Sequence, residues 1–110
     1  DWRRGKPVFP RGVAGLSGPA VKPMALLAVL RTAPRVSIPI IAIGGIVTAT
    51  DVLEYLAAGA RAVQIGTACF LDPGAPVRLV RELQALLAAE GVDDVNELVG
   101  SVQRGGREIS

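Results

Sequence analysis

Two glycine turns constrain this chain more than any other feature of it. Ile43-Gly44-Gly45-Ile46 closes the apolar run Ile38-Pro39-Ile40-Ile41-Ala42, and Ile65-Gly66-Thr67-Ala68 closes Ala62-Val63-Gln64. A stretch with helical spacing lies between them, so the turns are one strand–helix unit apart. Strand, helix, strand at this spacing means parallel strands joined by a crossover, with both turns at the carboxyl end of the sheet. Glycine there allows positive φ and close backbone approach, which a plain tight turn also needs. Two such turns side by side can offer backbone N–H groups to a single phosphate, the arrangement found after strands 7 and 8 of a (β/α)8 barrel. The expected fold class is α/β: the C-terminal part of a TIM barrel, its last two or three βα units.

A whole barrel takes about 250 residues, whereas this chain has 110 and opens at Asp1 without Met. We therefore read it as a C-terminal piece of a longer protein. Hydrophobic residues make up 50% of the chain and aromatic ones only 4%, so the expected core is Ala, Val, Ile and Leu, suited to strands buried on both faces. No apolar run approaches the roughly 20 residues of a membrane span, and no basic-plus-apolar leader opens the chain. Net charge is +2. The cluster Arg3-Arg4-Gly5-Lys6 is too short and too poor in aromatics to argue for nucleic acid and reads as a solvated loop. The lone Cys69 leaves no internal disulfide and fits a reducing, cytoplasmic compartment. The chain has no His, which removes His-based acid–base chemistry and His metal ligation from it.

Residues 1–18 read as a strand remnant followed by a long loop ending at Gly15-Leu16-Ser17-Gly18. Pro19 and Pro23 open a helix whose apolar positions are Ala25, Leu26, Val29 and Leu30, ended by Pro34 and the turn at Arg35-Val36-Ser37. Ile38 to Ile43 is the first strand. Thr48 caps a helix from Ala49 to Ala58, Asp51 supplies an acidic capping-box partner, and Gly59 stops it. Arg61 to Ile65 is the second strand, followed by a turn at Asp72-Pro73-Gly74. A helix from Pro76 presents Val77, Val80, Leu83, Leu86 and Leu87 and ends at Gly91. Asp93 caps a last short helix bearing Val95, Leu98 and Val99. Residues 1–102 form one unit, and 103–110 a polar tail that frays.

For function, the candidate binding residues are Gly44, Gly45, Gly66 and Thr67, whose hydroxyl can donate to a phosphate oxygen. Gly18 joins them because a helix begins there. The bound phosphate can belong to a cofactor or, as in lyases and synthases acting on phosphorylated sugars or heterocycles, to the substrate. Ser17 reads as a loop or cap hydroxyl with no base to activate it. Cys69 reads as a small buried hydrophobe, and Lys22 as solvated. Asp51, Glu54, Asp93, Asp94 and Glu97 read as helix caps and surface charge, without the spacing of a metal site or a carboxylate pair. No catalytic residue and no metal ligand is assigned.

Three blocks together, Gly15-Leu16-Ser17-Gly18-Pro19-Ala20-Val21-Lys22-Pro23, Ile38 to Ile46, and Gly59 to Ala68, resemble the C-terminal third of dihydroorotate dehydrogenase. The Gly-Leu-Ser-Gly-Pro-Ala form is most similar to the catalytic subunit of the NAD-dependent, type B enzymes, and the resemblance runs from about Asp1 to Gly100. It implies an FMN-containing barrel that oxidises dihydroorotate to orotate in pyrimidine biosynthesis, with Gly18, Gly44, Gly45, Gly66 and Thr67 in contact with FMN, chiefly its phosphate. It further implies a homodimer docked to an electron-transfer subunit that carries FAD and an iron–sulfur cluster. The family's base cysteine, flavin-facing lysine and orotate-binding asparagines would lie before Asp1. Cys69 is not that cysteine and sits where relatives often carry Asn. Val13-Ala14-Gly15 stands where relatives commonly show a second glycine. The C-terminal domain of dihydropyrimidine dehydrogenase is a competing likeness, but its second loop usually lacks the Gly-Thr pair. On this reading the 110-residue chain by itself is inactive, and its unpaired sheet edge and uncovered inner strand faces leave it marginally folded or self-associating.

Overall fold

The computed structural model describes residues 1–105. Its regular elements are helix α1 (Lys22–Thr32), strand β1 (Ile41–Ile43), helix α2 (Ala49–Ala58), strand β2 (Ala62–Gln64), the short helix α3 (Ala68–Leu71) and helix α4 (Ala75–Ala89). Short 3₁₀ turns occupy Pro19–Val21, Ala33–Arg35, Val95–Leu98 and Ser101–Arg104. Among the described residues no helix is long and apolar enough to cross a membrane.

β1 and β2 pair in parallel, with Ile41 opposite Ala62, Ala42 opposite Val63 and Ile43 opposite Gln64. The crossover between them is α2, so the strand–helix–strand order read from spacing is the one observed. Both strands are shorter than expected, three residues each, because each has only one neighbour to pair with. The strand remnant expected before Gly18 does not form: residues 1–17 are turns, bends and exposed chain throughout. The radius of gyration, 16.9 Å, exceeds the roughly 13 Å of a compact domain this long, as an extended arm of that kind requires.

The core lies on one side of the sheet. Val29 of α1, Ala42 and Ile46, Val52, Tyr55 and Leu56 of α2, Ala60 and Leu79 of α4 are buried together, with Ala25, Leu26 and Leu30 packed against them. The α1 stripe is as expected. The α4 stripe is rotated: Ala75 and Leu79 are buried while Val77 and Val80 are more than half exposed. The aliphatic core also holds one aromatic residue that composition hid, Tyr55, which is fully buried.

Helix ends follow local chemistry. Thr48 Oγ1 accepts from the Asp51 N–H at 3.2 Å and Asp51 Oδ2 accepts from the Thr48 N–H at 2.8 Å, a reciprocal capping box at the start of α2. Gly59 closes α2 in the left-handed region. The last cap is Asp94, not Asp93: its Oδ1 accepts from the Asn96 N–H at 2.8 Å. Order continues past the expected boundary at 102. Gln103 Nε2 donates to the Ala58 carbonyl at 2.9 Å, tying the segment to the end of α2. The remainder of the expected tail, 106–110, lies outside the described residues.

Candidate functional site

At the carboxyl end of β1 and β2 lies a pocket of about 310 Å³, within the range of small-ligand clefts. Gly18, Gly44, Gly45, Gly66 and Thr67 all line it, together with Leu16, Ser17, Gln64 and Leu71 among others. The residues singled out from two distant loops and one helix start are therefore brought to one cavity. None of its described lining residues is ionisable. Cys69 lies just outside it, half-buried, with its thiol 3.8 Å from the Ile65 carbonyl.

The glycines are present for different reasons. Gly45 has φ +67°, and a Cβ there would stand 2.8 Å from the Gly18 carbonyl oxygen and 2.8 Å from Lys22 Cβ. Gly44 is similarly closed in, 2.9 Å from Ala25 Cβ. These two let the β1–α2 turn pass against the start of α1 and are demanded by the chain's own packing. Gly66 is not. Its φ is ordinary and a Cβ would meet nothing within 4 Å, so neither backbone nor packing calls for glycine there. Thr67 follows at the start of α3, a helix not foreseen from sequence, and makes no side-chain capping bond to it.

A charged cluster backs this pocket without lining it. Lys22 Nζ pairs with both Asp51 Oδ1 and Glu54 Oε2. Asp51 Oδ2 accepts from the Val47 and Thr48 N–H groups at 2.9 and 2.8 Å. Those amides are thus engaged by the helix's own carboxylate. Burial of Asp51 raises its pKa, but the Lys22 ammonium and the hydrogen bonds from Val47 and Thr48 outweigh that and hold it at about 2. Lys22 is raised by the same partners, Asp51 first. The Tyr55 hydroxyl donates to the Gly44 carbonyl at 2.6 Å, and burial pushes its pKa up. On the other flank Arg78 pairs with Asp72 and Glu82, both at 2.9 Å, and reaches the Val47 carbonyl at 3.5 Å.

The reading of Lys22 as solvated is corrected accordingly, whereas Glu54 lies at the surface as expected, its side chain 44% exposed. Asp51 is a cap, but a buried and ion-paired one. A signal was present in the sequence: Asp51, Glu54 and Tyr55 recur at i, i+3 and i+4 on one face of α2. Among the described residues no group of three or more Cys, Asp or Glu side chains is placed to hold a metal ion.

Comparison with known proteins adds to this geometry. The family model described as Dihydroorotate dehydrogenase matches residues 1–87. The chain is 50% identical over 103 residues to the catalytic subunit of dihydroorotate dehydrogenase B (NAD(+)) from Geobacter metallireducens, covering 94% of this chain and 34% of that protein. It is 50% identical over 101 residues to the corresponding subunit from Desulforamulus reducens, covering 92% and 33%. Among solved structures, Eimeria tenella dihydroorotate dehydrogenase in complex with ferulenol superposes with a TM-score of 0.77 at 32% identity, covering 84% of this chain and 25% of that one. The chain thus spans about a third of the length of the curated relatives it matches. With the family model matching most of its residues, the chain belongs to the dihydroorotate dehydrogenase family.

Proposed function

We propose that this chain forms the cofactor-phosphate end of an FMN-dependent dihydroorotate dehydrogenase that converts dihydroorotate to orotate in pyrimidine biosynthesis. On this reading β1 and β2 are the closing strands of a TIM barrel whose other strands belong to the full-length protein. The observation that carries the proposal is the meeting of Gly18, Gly44, Gly45, Gly66 and Thr67 in one pocket, with Gly66 unexplained by anything in the chain itself. Glycine at such a point leaves room for a ligand to approach the backbone.

The pocket wall suits a phosphate bound by backbone dipoles and a hydroxyl rather than by a cation. Its described lining is uncharged, and Lys22 is committed to two carboxylates. Thr67 would donate from its side chain, and Gly44, Gly45 and Gly66 would let the chain close on the phosphate oxygens. The flavin, when bound, supplies the hydride acceptor. This chain's residues hold its remote end, and binding energy gained there fixes the ring for the reaction without taking part in it. No residue of the chain is assigned the proton abstraction.

The relatives' name, catalytic subunit, implies a partner subunit. We propose a homodimer in the cytoplasm that passes electrons to a subunit carrying FAD and an iron–sulfur cluster. The test uses the full-length protein. Gly66→Asp puts a negative charge into open space at the pocket wall, where the fold tolerates a side chain. It should abolish flavin retention while leaving the thermal midpoint of the apoprotein nearly unchanged. Full FMN content in Gly66→Asp, or a colourless wild-type protein that binds a phosphorylated substrate instead, would overturn the assignment.

A further inference from the structure

We infer that Lys22 is a positioning residue for the phosphate pocket: through its joint pairing with Asp51 and Glu54 it locks the start of α1 against the β1–α2 turn. The inference rests on the cofactor-phosphate reading above and extends it to a residue outside the pocket wall.

The geometry has four parts. Lys22 is the first residue of α1, where a positive charge opposes the helix dipole, so its place there needs another cause. That cause is on α2: Asp51 and Glu54 both pair with its ammonium. Asp51 in turn holds the Val47 and Thr48 amides, immediately after the Gly44-Gly45 turn. Finally, the Lys22 stem lies against Gly45, at 2.8 Å from where a Cβ would stand, and the Gly18 carbonyl lies equally close. One side chain therefore links the Gly18 and Gly45 walls of the pocket through a partly buried bridge. Its side chain is 23% exposed and that of Asp51 is 11% exposed, so water screens the pair less than a surface pair. A shift of the two walls by a fraction of an ångström changes how many backbone donors converge on one anion.

The experiment compares FMN with riboflavin, which lacks the phosphate, by titrating the full-length apoprotein. The main variant is Lys22→Met/Glu54→Gln, which removes the bridge yet leaves the cluster's net charge as it is. The expected result is an FMN Kd raised roughly tenfold, with the riboflavin Kd within about twofold of wild type. Lys22→Arg, which can span both carboxylates, should restore most of the difference. Equal losses for FMN and riboflavin would make Lys22 a general stability element and overturn the inference. So would an unchanged FMN Kd in the double variant, because any effect of Lys22→Met alone would then be one of field. If the double variant does not fold, Glu54→Gln alone removes one arm at an exposed edge, and a preference for FMN reduced about threefold is expected; no reduction overturns the inference. Gly66→Asp is run beside them. If it keeps FMN, the phosphate reading fails and this inference with it. If it loses FMN while the double variant does not, the positioning role alone fails.

Discussion

Gly45 and Gly66 look alike in sequence and answer to different forces. Gly45→Ala must place a methyl group 2.8 Å from a carbonyl oxygen at φ +67°, combining steric overlap with left-handed backbone strain. The full-length protein should lose about 2–4 kcal/mol, read as a fall in the urea midpoint. Gly66→Ala meets nothing within 4 Å and should change stability by less than about 0.5 kcal/mol. Asp51 carries the pH dependence. Its folded pKa of about 2 lies below the ordinary 3.8, so its contribution is complete above that ordinary value and is lost as pH falls toward 2. The span corresponds to about 2 kcal/mol. Asp51→Asn should therefore destabilise the full-length protein by about 2 kcal/mol at pH 7, and the gap to wild type should close as pH falls toward 2. A gap that stays constant with pH would show that the carboxylate charge is not what matters.

At the scale of the element, α2 does most of the organising. Its N-terminus is closed by the Thr48–Asp51 box, its Tyr55 hydroxyl holds the Gly44 carbonyl, and its far end is tied by Gln103 at the Ala58 carbonyl. Thr48→Ala should cost about 1 kcal/mol. Tyr55→Phe leaves the ring in place but strips Gly44 of a donor in a buried setting, and should cost about 1–3 kcal/mol. Both are measured by chemical denaturation of the full-length protein. The effects are expected to couple, because Asp51 of the cap pairs with Lys22, whose carbonyl lies 3.5 Å from the Tyr55 hydroxyl.

At the scale of the whole molecule, the sheet is finished on one face only. Ala42 is buried while Ile41 and Ile43, its neighbours on the opposite face, are 59% and 57% exposed. Ala62 and Gln64 stand beside them, also exposed. A two-stranded parallel sheet with open edges and an apolar face is a site for association. The isolated 110-residue chain should therefore self-associate as its concentration rises in sedimentation velocity, and Ile41→Lys/Ile43→Lys should reduce that association. A monomer of unchanged mass across the concentration range would contradict this. The same chain mixed with FMN, dihydroorotate and an artificial acceptor should produce no orotate above background.

Local chemistry was enough to settle a good deal here. The bounds of α2, its capping box, the α1 stripe and the parallel order of the strands all follow from interactions within one or two turns of chain, which spacing records directly. Gly44, Gly45, Gly66 and Thr67 could be grouped from sequence because glycine turns at the ends of adjacent parallel strands must come together, whereas Gly18 reaches the same pocket from the start of a helix. What tertiary structure alone decided is what depends on which surfaces meet. Strand length was set by the presence of a single pairing partner, and the face of α4 by where α2 lies, so Leu79 is buried and Val77 is not. The pairing of Lys22 with Asp51 and Glu54 joins residues far apart in the chain, and no local rule distinguishes a lysine bound for solvent from one bound for two carboxylates. Gly45 and Gly66 were likewise indistinguishable until their surroundings were known, because a missing Cβ shows in sequence but the atom that would have met it does not.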